Sequence, residues 1–156
     1  MARLSDLHPS EAEHLLARAE AMPRLEVEQW LTPKPLAEST VALISTAGMH
    51  RRDDPPFTPG AVDYRIVPRG VDWGEMVVSH ISANFDRSGL ADDPNVALPL
   101  DRLGELAEAG EIGGVSQWHY TFMGALPNPE MLEQTGTEVG RLLAEDGVDV
   151  ALLVPI

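Results

Sequence analysis

Residues 39–50 read "STVALISTAGMH". Val41 to Ser45 form a continuous apolar run, and Gly48 punctuates it. A strand with one wet face alternates apolar and polar side chains. A strand covered on both faces does not need to, and this is the parallel-sheet case. The run therefore predicts an inner strand of a sheet with helices on both sides.

Working outward, "VDVALLVPI" (148–156) has the same character and predicts a second fully buried strand. "DYRIVPR" (63–69) predicts a short strand ended by Pro68, and "VSQWHYTFMG" (115–124) alternates well enough for another. "WGEMVVSHI" (73–81) predicts a strand with Met76, Val77, Val78 and Ile81 as its core. Between 51 and 60, "RRDDPPFTPG" packs three prolines and four charges into an irregular loop. "PLDRLGELAEAGEIGG" (99–114) predicts a helix with Leu100, Leu103, Leu106 and Ala107 on one face and Gly110 as its stop. "NPEMLEQTGTEVGRLLAEDG" (128–147) predicts another, capped by Asn128, opened by Pro129 and stopped by Gly147. Upstream, "HPSEAEHLLARAEAM" (8–22) reads as an amphipathic helix with Ser10 as cap and Glu13 three residues on. "LEVEQWLTPKP" (25–35) reads as a short second helix, with Trp30 and Leu31 as its apolar contacts. The expected organisation is a helical arm over 1–38 and one α/β domain over 39–156. The domain is a three-layer fold with a mostly parallel sheet. A strand as apolar as 148–156 needs cover, so a further segment or a partner chain is expected to complete the domain.

Composition narrows the function. The 156 residues suffice for one domain with a core, and the net charge of −14 opposes binding to nucleic acid or anionic membrane. No stretch approaches the ~20 apolar residues of a membrane span. The first thirty residues lack the apolar core of a signal peptide, so the expected location is the cytoplasm. The one lysine, Lys34, sits in a Pro-flanked linker and is a poor Schiff-base candidate. There are no cysteines. A thiolate nucleophile, a zinc–thiolate site and an iron–sulfur cluster are thus excluded within these residues. "TAGMH" has too few glycines for a dinucleotide fingerprint and is not a phosphate loop. No cofactor is indicated.

In a parallel sheet ligands bind beyond the carboxyl ends of the strands. After the first strand come Thr46, Gly48, Met49 and His50. His50, beside Arg51 and Arg52, can hold an anion. After the strand at 73–81, the loop "SHISANFDRSGLADDPN" carries His80, Asn84, Asp86, Asp92 and Asn95. His80 and Asp86 can serve as a general base and its orienter. Alternatively His80 bonds a neighbouring backbone and Asp86 makes a turn. "DDPN" is also a helix-entry signal. His119 and Tyr120 can present an imidazole and a phenol to the rim, or pack in the strand. His80, Asp86 and His119, with His50, are also a ligand set suited to zinc or iron(II) if they meet.

The segments "VALISTAGMH", "SHISANFD", "DDPNVALPLDRLGELAEAGEIGGV", "HYTFMG" and "GVDVALLVP" resemble the glycine/sarcosine/betaine/D-proline reductase selenoprotein B family. The resemblance covers about residues 40–156 and leaves the N-terminal arm outside. It implies a Rossmann- or flavodoxin-like fold and reductive cleavage of a carbon–nitrogen bond in a small amino acid. It places a cysteine or selenocysteine in the loop after a strand like "VDVALLVP". By position His80, Asn84, Asp86, Asp92, Asn95 and His119 match the family's polar motif residues. The resemblance assigns none of them a chemical role; from their place beyond the strand ends, the catalytic candidates are His80, Asp86 and His119. The substrate-binding candidates are Thr46, Gly48, Met49, His50, Asn84, Asp92, Asn95 and Tyr120. A chain without cysteine cannot supply the two-electron nucleophile itself. Three expectations follow: a portion of a longer reductase, a subunit whose partner carries the cysteine, or a domain redeployed for binding or scaffolding; a homo-oligomer is the alternative to such a partner.

Overall fold

The computed structural model describes residues 3–23, 31–82, 85 and 87–156, and the chain divides into two compact units, Met1–Leu31 and Thr32–Ile156. In the first unit, helix α1 (Pro9–Ala21) starts at Pro9, whose missing N–H costs nothing there. Its cap is His8, whose ring nitrogen accepts from the Ser10 N–H, and not Ser10 as the sequence suggested. Most of the expected second helix, Trp30 included, lies outside the described residues; Leu31 to Pro35 have no regular structure. Residues 36–38, read as part of the arm, belong to the second unit: they form a 3-10 turn whose Leu36 carbonyl accepts the Gly113 N–H at 2.9 Å.

The second unit is α/β. Strand β1 (Thr40–Ser45) lies at the centre of a mixed sheet. On one side it pairs in parallel with β7 (Val150–Val154) along five residues. On the other it pairs in parallel with the short β5 (Gly114–Val115) and then β6 (Trp118–Phe122). β3 (Tyr64–Pro68) closes that side, antiparallel to β6, with its proline at the end of an edge strand where no ladder bond is lost. β1 alternates between two cores. Val41 and Leu43 pack with Leu98 and with Leu100 and Leu103 of α3 (Leu100–Glu108). Ala42 faces the other way, with Tyr120, Phe122 and the buried Val139 and Leu143 of α4 (Glu133–Glu145). Each fully buried aliphatic side chain of this kind contributes roughly 1.5–3 kcal/mol. Both helices end two residues ahead of the glycine marked as their stop. Asn128 caps the turn leading into α4, its side chain accepting from the Glu130 N–H at 3.0 Å.

Two expectations change. The stretch 73–81 is not a strand of the main sheet. After a 3-10 turn at Trp73–Glu75, only β4 (Met76–Val78) is extended. It pairs antiparallel with β2 (Met49–Arg51) in a separate two-stranded sheet. Its side chains are half-buried because they cover one core and not two. β7 keeps its place in the sheet but is not buried: it is an edge, with Leu152 43% and Leu153 65% exposed. Among the described residues no helix is long and apolar enough to cross a membrane.

The β5–β6 side of β1 carries an irregularity. Thr40 and Val41 pair with Gly114 and Val115, whereas Ile44 and Ser45 pair with Tyr120 and Thr121. Four residues on one side thus face two on the other. The Leu43 N–H loses its carbonyl partner there, and a side chain takes over: His119 Nδ1 accepts that N–H at 3.0 Å. A buried amide left unpaired would cost about 1–3 kcal/mol.

Candidate functional site

Thr46 follows β1 and gathers the ends of its neighbours. Its N–H donates to the Val154 carbonyl at 3.2 Å, and its carbonyl accepts from Gly124 N–H at 3.0 Å. Its hydroxyl accepts from the Ile156 N–H at 2.9 Å and donates to the Ile156 carbonyl at 3.4 Å. Gly124 must be glycine for this approach, because a Cβ there would stand 2.8 Å from both Cβ and the carbonyl oxygen of Thr46. Two residues on, Gly48 has φ +64, a left-handed conformation natural to glycine. Its N–H donates to the Phe122 carbonyl and its carbonyl accepts from Ser79, both at 2.9 Å. A Cβ on Gly48 would come within 3.0 Å of the His80 backbone nitrogen. The loops after β1, β4, β6 and β7 therefore meet at one rim.

His80 is 5% exposed on this rim. Its Nδ1 accepts from the Ser82 N–H at 3.3 Å, so in the neutral ring the proton sits on Nε2. Among the described residues that Nε2 has no partner. The ring lies against Phe85, with centroids 4.5 Å apart, and the His80 carbonyl accepts from the Arg87 guanidinium. Burial first, and the Arg87 cation second, hold the His80 pKa below its usual value.

His50 belongs to the rim through β2, but both its nitrogens are engaged. Nδ1 donates to the Arg51 carbonyl and Nε2 accepts from the Ser79 hydroxyl, each at 2.7 Å. Arg51 in turn pairs with Asp53 at 2.7 Å, so it does not wait for an anion. Met49 begins β2 and is buried. Asn84 and Asp86 lie outside the described residues; the flanking Phe85 and Arg87 touch His80.

The remaining candidates sit elsewhere. His119 is fully buried inside the sheet, where it completes the ladder, and burial pushes its pKa down to about 4. Tyr120 is core on the α4 face, edge-on to Tyr64 at 5.6 Å. Asp92 ends α2 (Ser88–Asp92) and is exposed. Asn95 organises the entry to α3: its Oδ1 accepts from the Asp101 N–H at 3.0 Å and its Nδ2 donates to Asp101 and Asp93. Among the described residues no three His, Asp or Glu side chains gather as a metal site. His50, with both nitrogens bonded, and His119, inside the sheet, do not join His80 in the ligand set weighed from sequence. Lys34 is tied to Asp149 at 2.6 Å in an exposed ion pair.

Sequence reading passed over a cleft of about 410 Å³ beside the rim, between the β2–β4 pair and α2. Met49, Trp73, Met76, Leu90 and Arg87 are among its lining residues. It escapes a linear reading because its walls come from segments that meet only through the β2–β4 pairing.

The glycine/sarcosine/betaine reductase selenoprotein B family matches residues 18–155. The chain belongs to this family. The match begins inside α1, so it reaches further into the arm than the motifs from residue 40 onward suggested. Among curated relatives, the chain is 34% identical over 122 residues to the D-proline reductase subunit gamma of Acetoanaerobium sticklandii, covering 77% of this chain and 50% of that protein. It is 29% identical over 124 residues to the betaine reductase complex component B subunit beta of Peptoclostridium acidaminophilum, and 26% identical to the sarcosine reductase counterpart from the same organism. Each of these alignments covers 77% of this chain and 28% of the relative. The chain thus spans half or less of the relatives it matches. No solved structure matches it.

Proposed function

We propose that this chain works within a reductase complex that cleaves the carbon–nitrogen bond of a small amino-acid-like substrate, as a subunit or as a portion of one. Its relatives are subunits of D-proline, betaine and sarcosine reductases. The observation that carries the reading is the meeting of the loops at Thr46. β1 leads towards the α3 face and β6 crosses by α4 to β7. In a doubly wound sheet of the flavodoxin or Rossmann kind, the place where connections part to opposite faces is where ligands bind. Thr46, past β1, and Gly124, past β6, stand on either side of that place.

Reductive cleavage adds two electrons and one proton across the bond; the carbon gains one C–H, and the amine leaves or, where the bond lies in a ring, stays at the far end of the opened chain. A dithiol, or a thiol–selenol pair, supplies the electrons as it is oxidised. These residues hold no cysteine. The reactive sulfur or selenium comes from a further segment or from a partner subunit in a cytoplasmic complex. His80, with its proton on Nε2, donates a hydrogen bond to the bound substrate, and the Asn84–Asp86 loop lies beside it. Thr46 and Gly48 shape the floor.

The test is to purify the native complex through a tag on this chain, identify its cysteine- or selenocysteine-bearing component, and supply a dithiol. Glycine, sarcosine, betaine and D-proline are offered in turn. Carbon–nitrogen cleavage with loss of dithiol is expected from at least one, read as amine release from the acyclic probes and as ring opening to an open-chain amino acid from D-proline, and is reduced by His80→Ala. A native complex with neither a reactive thiol or selenol nor any carbon–nitrogen cleavage of the four probes overturns the reading.

A further inference from the structure

We infer that the apolar groove between α4 and β7 seats a helix of the cysteine- or selenocysteine-bearing component, apolar along one side and basic at the end that reaches Glu133. The partner's identity rests on the reading above; the seat itself rests on the groove. The groove encloses about 570 Å³. Val139, Gly140 and Leu143 of α4 line one side of it, and Ala151 and Leu153 of β7 line the other. Gly140 has no side chain to fill the space, and Leu153 is left 65% exposed. At one end the groove opens at Thr46 and Pro155, the rim to which the reactive sulfur or selenium must be brought. A component seated here is already beside that rim.

A small-molecule site adds to its apolar lining a few free polar groups that orient the ligand. Here the one polar side chain among the lining residues is Thr46, and its hydroxyl is committed in both directions to Ile156. Nothing is left to orient a polar ligand, and an uncovered apolar surface of this kind marks a protein interface. The shape suits a helix. Leu132 to Leu143 spans about 16 Å along the α4 axis, three turns of a docked neighbour. The bare backbone at Gly140 lets that neighbour approach closely. Charge decides its chemistry. Glu133 lies seven residues before Gly140 and so on the same side of α4. With Glu130 it lines a second hollow at the start of α4. No Lys or Arg is among the described residues lining either hollow, and the one cation of α4, Arg141, is tied to Glu145. Complementarity asks for Lys or Arg on the incoming helix.

The experiment isolates the native complex through a tag on this chain and reads recovery of the cysteine- or selenocysteine-bearing component. Gly140→Leu fills the groove. A Cβ at this position meets nothing within 4 Å, so the variant folds, and circular dichroism checks this. Recovery is expected to fall about tenfold or more. Gly104→Leu makes the same change on α3, where a Cβ also meets nothing within 4 Å, and keeps the component. Gly140→Ala, one methyl against about 570 Å³, keeps it too. Glu130→Gln combined with Glu133→Gln lowers the salt concentration at which the component is lost. A photo-crosslinking benzoylphenylalanine in place of Leu153 captures a segment of that component with Lys or Arg beside its apolar residues. Full recovery with Gly140→Leu, or an unmoved salt midpoint, overturns the assignment. So does a crosslink to a component without cysteine or selenocysteine, to a second copy, to a further segment of this chain, or to nothing. If Gly140→Leu keeps the component while the complex still cleaves a probe, the groove falls and the reductase reading stands. If the crosslink lands as expected while the complex cleaves none of the four probes, the seat stands without the reductase reading.

Discussion

Gly124→Ala tests the architecture of the rim. The added methyl would lie 2.8 Å from Thr46 Cβ, 2.8 Å from its carbonyl oxygen and 2.9 Å from its hydroxyl. Ordinary contact starts at 3.4 Å, so Thr46 must retreat by about 0.6 Å. A rotamer change cannot provide this, since one of the three atoms is backbone. The retreat strains the bonds that Thr46 makes to Val154, Gly124 and Ile156. Overpacking of this kind costs about 1–3 kcal/mol. Gly136→Ala is the matched control: it makes the same chemical change inside α4, where a Cβ meets nothing within 4 Å. There, alanine gains about 0.5–1 kcal/mol from helix propensity. Urea denaturation followed by circular dichroism should place the two midpoints on the order of 1 M apart, on opposite sides of the parent. Carbon–nitrogen cleavage by the native complex should fall with Gly124→Ala and hold with Gly136→Ala. Two variants of equal stability would refute the claim that the close approach at Thr46 is what requires glycine.

His119→Leu should cost about 1–3 kcal/mol near neutral pH, because the Leu43 N–H loses its acceptor. Burial holds the His119 pKa at about 4 against an ordinary 6.5, so between those values the unfolded chain binds a proton the folded chain refuses. The contribution of His119 is full above about 6.5 and falls as pH drops towards about 4, by at most roughly 3 kcal/mol. The stability gap between parent and variant should therefore narrow over that range, as equilibrium denaturation at several pH values would show; a constant gap would count against a neutral buried imidazole. Leu43→Ala, at the centre of one core, should cost about 2–5 kcal/mol by the same assay, and a loss under 1 kcal/mol would mean the core is misplaced. Leu153→Glu, on the exposed edge strand, should leave the chain's own stability within about 0.5 kcal/mol. Pull-down of the complex should nonetheless lose a partner; full retention would show that the β7 edge is not where association occurs.

Much of the frame was legible because local pattern and tertiary role agree. The apolar run at Val41–Ser45 became the doubly covered β1, and Leu100, Leu103 and Ala107 of the face read for α3 pack, while Leu106 is left exposed. What escaped depends on partners far along the chain. Val77 and Val78 look like any sheet strand until β2 is known to pair with them. Asn95 looks like a ligand until the Asp101 amide is seen to need it. His119 is a matter of register: nothing in "QWHYTF" says that four residues will oppose two and leave an amide for the imidazole. Burial of β7 was overread, since apolar sequence reports a wish for cover and not the cover itself.

The irregular stretch beside β1 also sets which insertions and deletions the fold can absorb. Side chains on extended backbone swap faces with every residue, so only an even excess keeps the two layers of the core on their own sides. With two surplus residues, Tyr120 and Phe122 still point to α4. Deleting one residue from Ser116–Gln117 would exchange the cargo of the two faces along all of β6, sending aromatics towards α3, whereas deleting both would restore parity and would release His119 from its post.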